Sequence, residues 1–130
     1  MWLYNDQEFT EDMIDDNVGF VYLITNHTSG KSYVGKKLFT KSKTYQKDKK
    51  KKKKRVSSDW VKYTGSNEQL NQDIKAGHQI TKIILHLCSS RGWCSYHETR
   101  EILLRDCLVS DTYYNYWVSC KIRRNHLKSA

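Results

Sequence analysis

Proline is absent from this chain, and only 6 of its 130 residues are glycine. Without a proline- or glycine-rich stretch there is no sign of an internal linker, and 130 residues is the size of one domain. No apolar run approaches the roughly 20 residues that a membrane-spanning helix needs. The N-terminal residues are acidic and lack an apolar stretch, which argues against a secretory signal. These absences predict a single cytoplasmic domain with no membrane partner.

Cysteine is scarce and shows no CxxC pair. The four cysteines are Cys88, Cys94, Cys107 and Cys120. A zinc site built from Cys88, Cys94 and His97 has a spacing that matches no common zinc-binding pattern. We therefore expect reduced and partly buried thiols, as in proteins of a reducing compartment.

Charge is distributed unevenly along the chain. The net charge is +9, but residues 1–18 contain six carboxylates and no Lys or Arg, so the remaining residues carry +15. This division predicts an acidic N-terminal arm over residues 1–18, mobile or loosely docked on a basic body. A basic body rich in aromatic residues suits a polyanion whose bases stack on aromatic rings. The alternative is a basic surface that serves only solubility.

Residues 19–37 carry the most informative pattern, which reads GFVYLITNHTSGKSYVGKK. Phe20–Thr25 is rich in aromatic and β-branched residues and predicts a strand, as does Ser32–Gly35. The segment between them is typical of a turn, so the two strands should form an antiparallel hairpin. Because side chains alternate along strands, Tyr22 and Tyr33 can lie close together on one face. Two tyrosines of an ordinary half-buried hairpin would give the same local pattern.

The whole string resembles the two-strand signature of the GIY-YIG nucleases, a family that hydrolyses nucleic-acid phosphodiesters. A second string, Trp60–Ser66 (WVKYTGS), is similar to one found in small phage-type members of the group. The resemblance covers roughly residues 19–118 and implies a GIY-YIG-like nuclease domain over residues 19–130. It implies an α+β fold with a small central three-stranded sheet, antiparallel or mixed, flanked by helices.

The remaining pattern predicts elements that agree with this layout. Ser66 suits a helix N-cap with Gln69 completing a capping box, and Gly77 suits the end of that helix. The predicted elements after the hairpin are a helix at Asn67–Ala76, a strand at Gln79–Leu87, a helix from Ser95 to about Leu108 and a last strand at Val118–Ile122.

The resemblance implies a metal site at Glu98, in the string YHETR. Glu98 stands where the family places its helical glutamate, and a site with one carboxylate suits Mg²⁺ (or Mn²⁺), which keeps most of its waters. Ser95 and Glu98 also have the spacing of a capping box, in which Glu98 would satisfy only a backbone N–H. Glu101, one turn further along, is a rival ligand.

Three further residues match family positions. The resemblance implies that Tyr22 abstracts a proton from the attacking water, that Tyr33 binds the scissile phosphate or the water, and that Asn115, in YYNYW, supports them. A phenol with a pKa near 10 is a poor base at neutral pH, so Tyr22 needs cations nearby to lower its pKa. The hairpin supplies three candidates, which are Lys31, Lys36 and Lys37.

Residues 38–58 depart from the family, which has a helix with a catalytic arginine after the second strand. The candidates to replace that arginine are Lys37, Arg55 and Lys62. Consecutive like charges oppose compact structure, so residues 41–58 predict a mobile Lys-rich loop that clamps the phosphate backbone. The predicted nucleic-acid contacts are Lys36, Lys49, Lys50, Lys51, Lys52, Lys53, Lys54, Trp60, Lys62, Tyr63 and Ser66.

The resemblance therefore implies a metal-dependent endonuclease that hydrolyses double-stranded DNA, of a homing or phage type. If a phage encodes it, it acts in the host cytoplasm. One such site cuts one strand, so a homodimer is a plausible state for a double-strand break. The alternative is a non-catalytic nucleic-acid-binding module on the same fold, which the missing arginine favours. Retention of Tyr22, Tyr33, Glu98 and Asn115 opposes that alternative.

Overall fold

The computed structural model describes residues 1–127, and this part of the chain forms strands and two α-helices. The elements are β1 (Trp2–Tyr4), β2 (Gln7–Glu8), β3 (Gly19–Asn26), β4 (Ser32–Leu38), β5 (Thr40–Lys47), β6 (Lys50–Ser57), α1 (Glu68–Lys75), β7 (Ile80–Cys88) and α2 (Arg91–Leu104). Short 3-10 helices lie at Glu11–Met13 and Arg124–Leu127. The predicted α+β class with a mixed sheet is confirmed. The last three residues of the predicted domain 19–130 lie outside the described residues.

The predicted hairpin is the centre of the main sheet. Strands β3 and β4 pair antiparallel, with Tyr22 opposite Gly35 and Ile24 opposite Tyr33. Strand β7 pairs antiparallel with the other side of β3. The turn between β3 and β4 is fixed by Asn26, whose side-chain oxygen accepts hydrogen bonds from the N–H groups of Thr28 and Ser29. This local bonding is the reason that Asn suits the position after the first strand.

The N-terminal segment belongs to the same sheet and is not the loosely docked arm that its charge predicts. Strand β1 pairs parallel with β7, and β2 pairs antiparallel with β1, so the sheet has the order β2-β1-β7-β3-β4. Trp2 is only 2% exposed, and its indole Nε1 donates to the carbonyl of Trp60 at 2.7 Å. The apolar side chains among the carboxylates therefore decide the position of the segment, and the sheet has five strands instead of three.

Two apolar cores cover the two faces of the sheet. On one face, the ring of Trp2 meets Phe20 edge to face at 4.9 Å, and Trp60 and Leu70 complete the layer. On the other face, α2 packs over a smaller core. That core contains Val21, Val34, Cys88, Cys94, Ile102 and Cys107. The sheet is thus buried on both sides near β3, which is why β3 is apolar along most of its length.

The Lys-rich segment is a two-stranded hairpin, and the prediction of a mobile loop without secondary structure is wrong. Strands β5 and β6 pair antiparallel from Thr40 opposite Ser57 to Lys47 opposite Lys50. The two residues of the turn, Asp48 and Lys49, both have positive φ, as a two-residue hairpin turn requires. Every residue of the two strands is exposed except the half-buried Val56. The hairpin therefore projects from the body, held by its own backbone hydrogen bonds.

Both helices begin at residues other than those predicted. The N-cap of α1 is Asn67 and not Ser66, because the Asn67 side chain accepts from the Leu70 N–H at 2.9 Å. The N-cap of α2 is Ser90, whose hydroxyl accepts from the Trp93 N–H, so α2 begins one turn earlier than expected. The predicted strand at Val118–Ile122 does not form. Within residues 1–127, neither helix has the length and apolar character to cross a membrane.

The docking of the N-terminal strand gives a first prediction. Trp2→Ala removes a buried ring and its hydrogen bond to Trp60, so the free energy of unfolding should fall by about 3–5 kcal/mol. Val61→Ala is the control, because that side chain is 56% exposed and its truncation should cost less than about 0.5 kcal/mol. Urea unfolding measures both. Equal stability of the Trp2→Ala variant and the wild type would show that the segment does not dock.

Candidate active site

A pocket of about 270 Å³ opens at the free edge of β4. Because β4 is the last strand of the sheet, residues from both of its faces and from the C-terminal tail meet there. The lining residues are Tyr33, Val34, Lys36, Ser66, Asn67, Glu98, Ile102, Asn115, Tyr116, Trp117, Val118 and Ser119. Three of the six predicted catalytic residues, Tyr33, Glu98 and Asn115, are brought together here.

The two motif tyrosines lie on one face of the hairpin, as predicted, with ring centroids 6.3 Å apart. Tyr33 lines the pocket, and its hydroxyl lies 3.3 Å from the Ser66 hydroxyl. Tyr22 is 1% exposed and lies behind Tyr33. Two glycines make room for these rings. A β carbon at Gly35 would overlap the Tyr22 hydroxyl, and one at Gly65 would lie 3.2 Å from the Tyr33 ring.

The pKa of Tyr22 is shifted in the direction opposite to the one expected. Burial raises it well above the ordinary value of a phenol, and the neighbouring Tyr63, Tyr33 and Glu98 raise it further. The nearby lysines do not offset this, because the ring is enclosed and the Lys37 ammonium is held elsewhere, 2.8 Å from the Asp59 carboxylate. Burial also raises the pKa of Tyr33. Both phenols therefore keep their protons at neutral pH in this structure.

Glu98 is the carboxylate of the pocket. It lies in the middle of α2, so the alternative that it forms a capping box with Ser95 does not apply. The rival Glu101 is engaged on both oxygens, 3.0 Å from His86 and 3.0 Å from Arg105. Within residues 1–127 no hydrogen bond or ion pair holds Glu98. Burial raises the pKa of Glu98, and the charge of Lys36 opposes the shift.

Among the described residues, Lys36 is the cation that lines this pocket. The sequence predicted it as a DNA contact and as a cation near Tyr22, not as a neighbour of Glu98. The Lys36 Nζ donates to the Ser95 hydroxyl at 2.7 Å, one turn before Glu98 on α2. Side-chain alternation along β4 could have predicted this placement. Lys36 lies two residues after Val34, so both side chains lie on the face of the strand that packs against α2. Lys37 has the parity of Tyr33 and turns to the other face.

The predicted replacements for the family arginine lie outside this pocket. Lys37 pairs with Asp59, and its ammonium lies 4.1 Å from the centre of the Tyr63 ring. Arg55 is at the base of the Lys-rich hairpin, where it donates to Thr40 and Ser42. Lys62 is exposed and does not line the pocket.

Asn115 binds the edge of β4 as a neighbouring strand would. Its amide oxygen accepts from the Val34 N–H at 3.0 Å, and its amide nitrogen donates to the Val34 carbonyl at 2.9 Å. The preceding residue, Tyr114, donates to the Asp73 carboxylate at 2.6 Å and fixes the tail against α1. This bonding holds the tail beside the pocket, where the exposed rings of Tyr116 and Trp117 form part of the wall.

The predicted nucleic-acid contacts divide by exposure. The lysines at 49–54 are exposed on the hairpin and its turn, Tyr63 is half-buried beneath Lys37, and Ser66 lines the pocket. Trp60 is 4% exposed in the core against Phe39, so its ring is not available to stack on a base. The tryptophan of the Trp60–Ser66 string is therefore explained by its packing in the core.

The site fits a sparsely coordinated divalent cation. No group of three His, Cys, Asp or Glu residues that could enclose a metal occurs among residues 1–127. Glu98 is a partly buried carboxylate that lines the open pocket and has no partner in the part of the chain that the structure describes. Mg²⁺ is commonly bound by one or two carboxylates together with waters and substrate phosphate, so the donor set suits that ion and does not suit structural zinc.

The packing of Tyr22 against Gly35 gives a second prediction. Gly35→Ala should lower the free energy of unfolding by about 1–3 kcal/mol through overpacking and should shift the NMR signals of the Tyr22 ring. Gly30→Ala is the control. It should cost about 1–2 kcal/mol because Gly30 has φ +78°, but the space around it is open, so Tyr22 should not respond. An undisturbed Tyr22 ring in Gly35→Ala would contradict the packing described here.

Comparison with known proteins places this arrangement in a family. Residues 2–118 match the family described as putative endonuclease segE, GIY-YIG domain. The match begins at β1, in agreement with the N-terminal strand being part of the sheet. No curated protein and no solved structure gives a significant match. The family match spans most of the chain, and the chain belongs to the GIY-YIG nuclease family.

Proposed function

We propose that this protein is a metal-dependent endonuclease that hydrolyses phosphodiester bonds of double-stranded DNA. The observation that carries the proposal is the meeting of Tyr33, Lys36 and Glu98 in one pocket at the edge of β4, where Glu98 has no hydrogen-bond or ion-pair partner among residues 1–127. Membership of an endonuclease family supports the reaction class. The exposed Lys-rich hairpin supports a polyanionic substrate.

Each group of the pocket has a role in this proposal. Glu98 holds Mg²⁺ or Mn²⁺, and the cation supplies charge stabilisation to the phosphate and the leaving oxygen when bound. Lys36 places a fixed positive charge where negative charge develops on the phosphate. Tyr33, the phenol that faces the pocket, hydrogen-bonds the attacking water or the phosphate.

Tyr22 supports the pocket from behind. Its raised pKa keeps the hydroxyl protonated in this structure, so we assign it as a hydrogen-bond donor to Tyr63 that supports the pocket through packing against Tyr33. Proton abstraction by Tyr22 would require its pKa to fall when the substrate complex forms. Asn115 acts on the backbone of β4 and holds the strand in position.

One pocket acts on one strand. A double-strand break therefore needs two encounters or two copies of the chain, and a homodimer on the DNA is part of this proposal. The string Trp60–Ser66, which is similar to one in small phage-type members of the family, supports a phage or mobile-element type.

The second candidate function is a binding module without catalysis. The observation that favours it is that the cation lining the described pocket is Lys36 and not an arginine. An ammonium is a point charge and lacks the bidentate fork of a guanidinium. On this alternative the protein binds DNA and does not cut it with any divalent cation.

Glu98 gives the decisive test. Glu98→Gln should abolish metal-dependent nicking of supercoiled plasmid, by at least about 100-fold, while DNA affinity in EDTA stays within about threefold. Mn²⁺ should raise the melting temperature of the wild type and not that of the variant. This second readout does not depend on activity.

The matched control is Glu101→Gln, which neutralises a carboxylate one turn along the same helix. It breaks the contacts to His86 and Arg105, so it should lower the melting temperature but retain nicking. If the wild type binds plasmid but no divalent cation supports nicking, the binding module is the correct function.

Lys36 gives a further prediction. Lys36→Gln should lower the nicking rate by about 100-fold, since a fixed charge is removed from the site. Lys37→Gln, at the adjacent position on the opposite face, should lower it by less than about fivefold, the loss of one DNA contact at most. The rate of nicking of supercoiled plasmid, measured under single-turnover conditions, tests both variants. The reverse order would place the catalytic cation on the other face of β4.

A further inference from the structure

The Lys-rich hairpin has two chemically different faces. Because side chains alternate and cross-strand partners share a face, the register of β5 with β6 assigns every residue. One face, the lysine face, consists of Lys41, Lys43, Lys47, Lys50, Lys52 and Lys54, with Tyr45 among them. The opposite face, the mixed polar face, includes Ser42, Thr44, Gln46, Lys51, Lys53 and Arg55.

On the lysine face, like charges lie directly opposite each other across the two strands. Lys43 lies opposite Lys54, and Lys47 lies opposite Lys50. Like charges directly opposite each other destabilise a strand pair, and an isolated two-stranded hairpin is marginally stable in water. Both strands are exposed and gain little from the core. A polyanion lying along this face removes the repulsion, so the hairpin is built to be stabilised by its ligand.

The mixed polar face has the chemistry of base recognition. Gln pairs with adenine, Lys and Arg with guanine, and Ser or Thr hydroxyls with several base edges. The lysine face offers mainly ammonium groups, which as point charges suit phosphates. Exposed Thr, Ser and Gln alternating with cations are not needed for nonspecific phosphate binding.

The mixed polar face also continues from the active site. A groove of about 530 Å³ runs between the hairpin base and α2, lined in part by Ser42, Arg55 and Arg91, and it shares Lys36 with the Glu98 pocket. Arg55 donates to both Thr40 and Ser42 and stiffens the base of the hairpin. A DNA duplex with its scissile phosphate in the pocket would therefore meet this face next.

The dimensions agree with one occupant. Strands of eight residues span about 26 Å at roughly 3.3 Å per residue, and the major groove of B-form DNA, about 12 Å wide, admits a two-stranded ribbon. The major groove of double-stranded RNA is too deep and narrow for side chains to read.

We propose that the hairpin enters the major groove of the DNA substrate, with the mixed polar face on base edges and the lysine face reaching the flanking phosphates. The hairpin thereby gives the nuclease domain a preference for sequence near the cut. This inference rests on the proposed function, because it takes duplex DNA as the substrate.

Two double variants of the full chain separate the faces. Thr44→Val with Gln46→Val removes polar groups from the mixed polar face without a change in charge. Lys43→Gln with Lys52→Gln removes two charges from the lysine face. Each is mixed in EDTA with a pool of duplexes of randomised sequence, the bound fraction is sequenced, and affinity is measured against salt concentration.

The wild type should enrich a short sequence. The Thr44/Gln46 variant should lose that enrichment and keep its salt dependence, because it keeps every phosphate contact. The Lys43/Lys52 variant should keep the enrichment, and its log–log salt slope should fall by up to about 1.8, or 0.9 per lost phosphate contact. Double-stranded RNA of the enriched sequence should bind the wild type at least tenfold more weakly than the DNA.

Three results would overturn the inference: no enrichment by the wild type, an enrichment that survives the Thr44/Gln46 substitutions, or equal binding of the RNA duplex. Plasmid nicking by the wild type with Mn²⁺, measured in parallel, separates this from the proposed function. If the wild type nicks plasmid but shows no hairpin-dependent preference, the inference about the hairpin is wrong and the proposed function stands. If the preference depends on Thr44 and Gln46 but no nicking occurs, the proposed enzyme is wrong and the inference about the hairpin stands.

Discussion

The free edge of β4 is the constraint on which the site depends. An edge strand has one row of backbone groups without a strand partner, and here Asn115 satisfies both backbone groups of Val34. This pairing closes the edge and brings the tail beside the strand. The same tail also bonds to Ser32, two residues earlier on β4, and the pocket beside it is lined by side chains from both faces of β4. Tyr33 arrives from one face and Lys36 from the other.

Burial sets the electrostatics of this pocket. Burial is the largest cause of the raised pKa values of Tyr22, Tyr33 and Glu98. A carboxylate that is costly to keep charged, and that has no protein partner in the described residues, favours a cation beside it. Glu98 and Glu101 look alike in the sequence, but the structure distinguishes them. Glu101 is paired with His86 and Arg105, whereas Glu98 has no such partner among the described residues.

The sequence was most informative where local pattern and packing agree. Alternation and the Asn26 turn predicted the β3–β4 hairpin, and Glu98 followed from the family motif. Charge was a poor predictor of structure in two segments, the acidic N-terminus and the Lys-rich hairpin. Trp2 and Phe9 dock the acidic segment despite its six carboxylates, because buried rings outweigh solvated charges. The first half of the Lys-rich segment has the period-two alternation of a strand, because Thr40, Ser42, Thr44 and Gln46 alternate with other residues. The assignment of Lys36 to the Glu98 side needed the strand's orientation against α2, which depends on tertiary contacts.

The neck of the Lys-rich hairpin is closed by hydrogen bonds where the hairpin meets the body of the domain. The Ser58 N–H donates to the Phe39 carbonyl at 2.8 Å, and the Ser58 hydroxyl donates to the Leu38 carbonyl at 2.7 Å, while the Phe39 ring is buried in the core. The chain therefore leaves and re-enters the body at neighbouring points, whatever lies between residues 40 and 57. Such a closed junction tolerates replacement of the segment beyond it, since the core and the pocket are complete without it. A hairpin of different length or composition at this junction would leave the core and the pocket unchanged, so under the proposed function the reading element can vary independently of the cutting site.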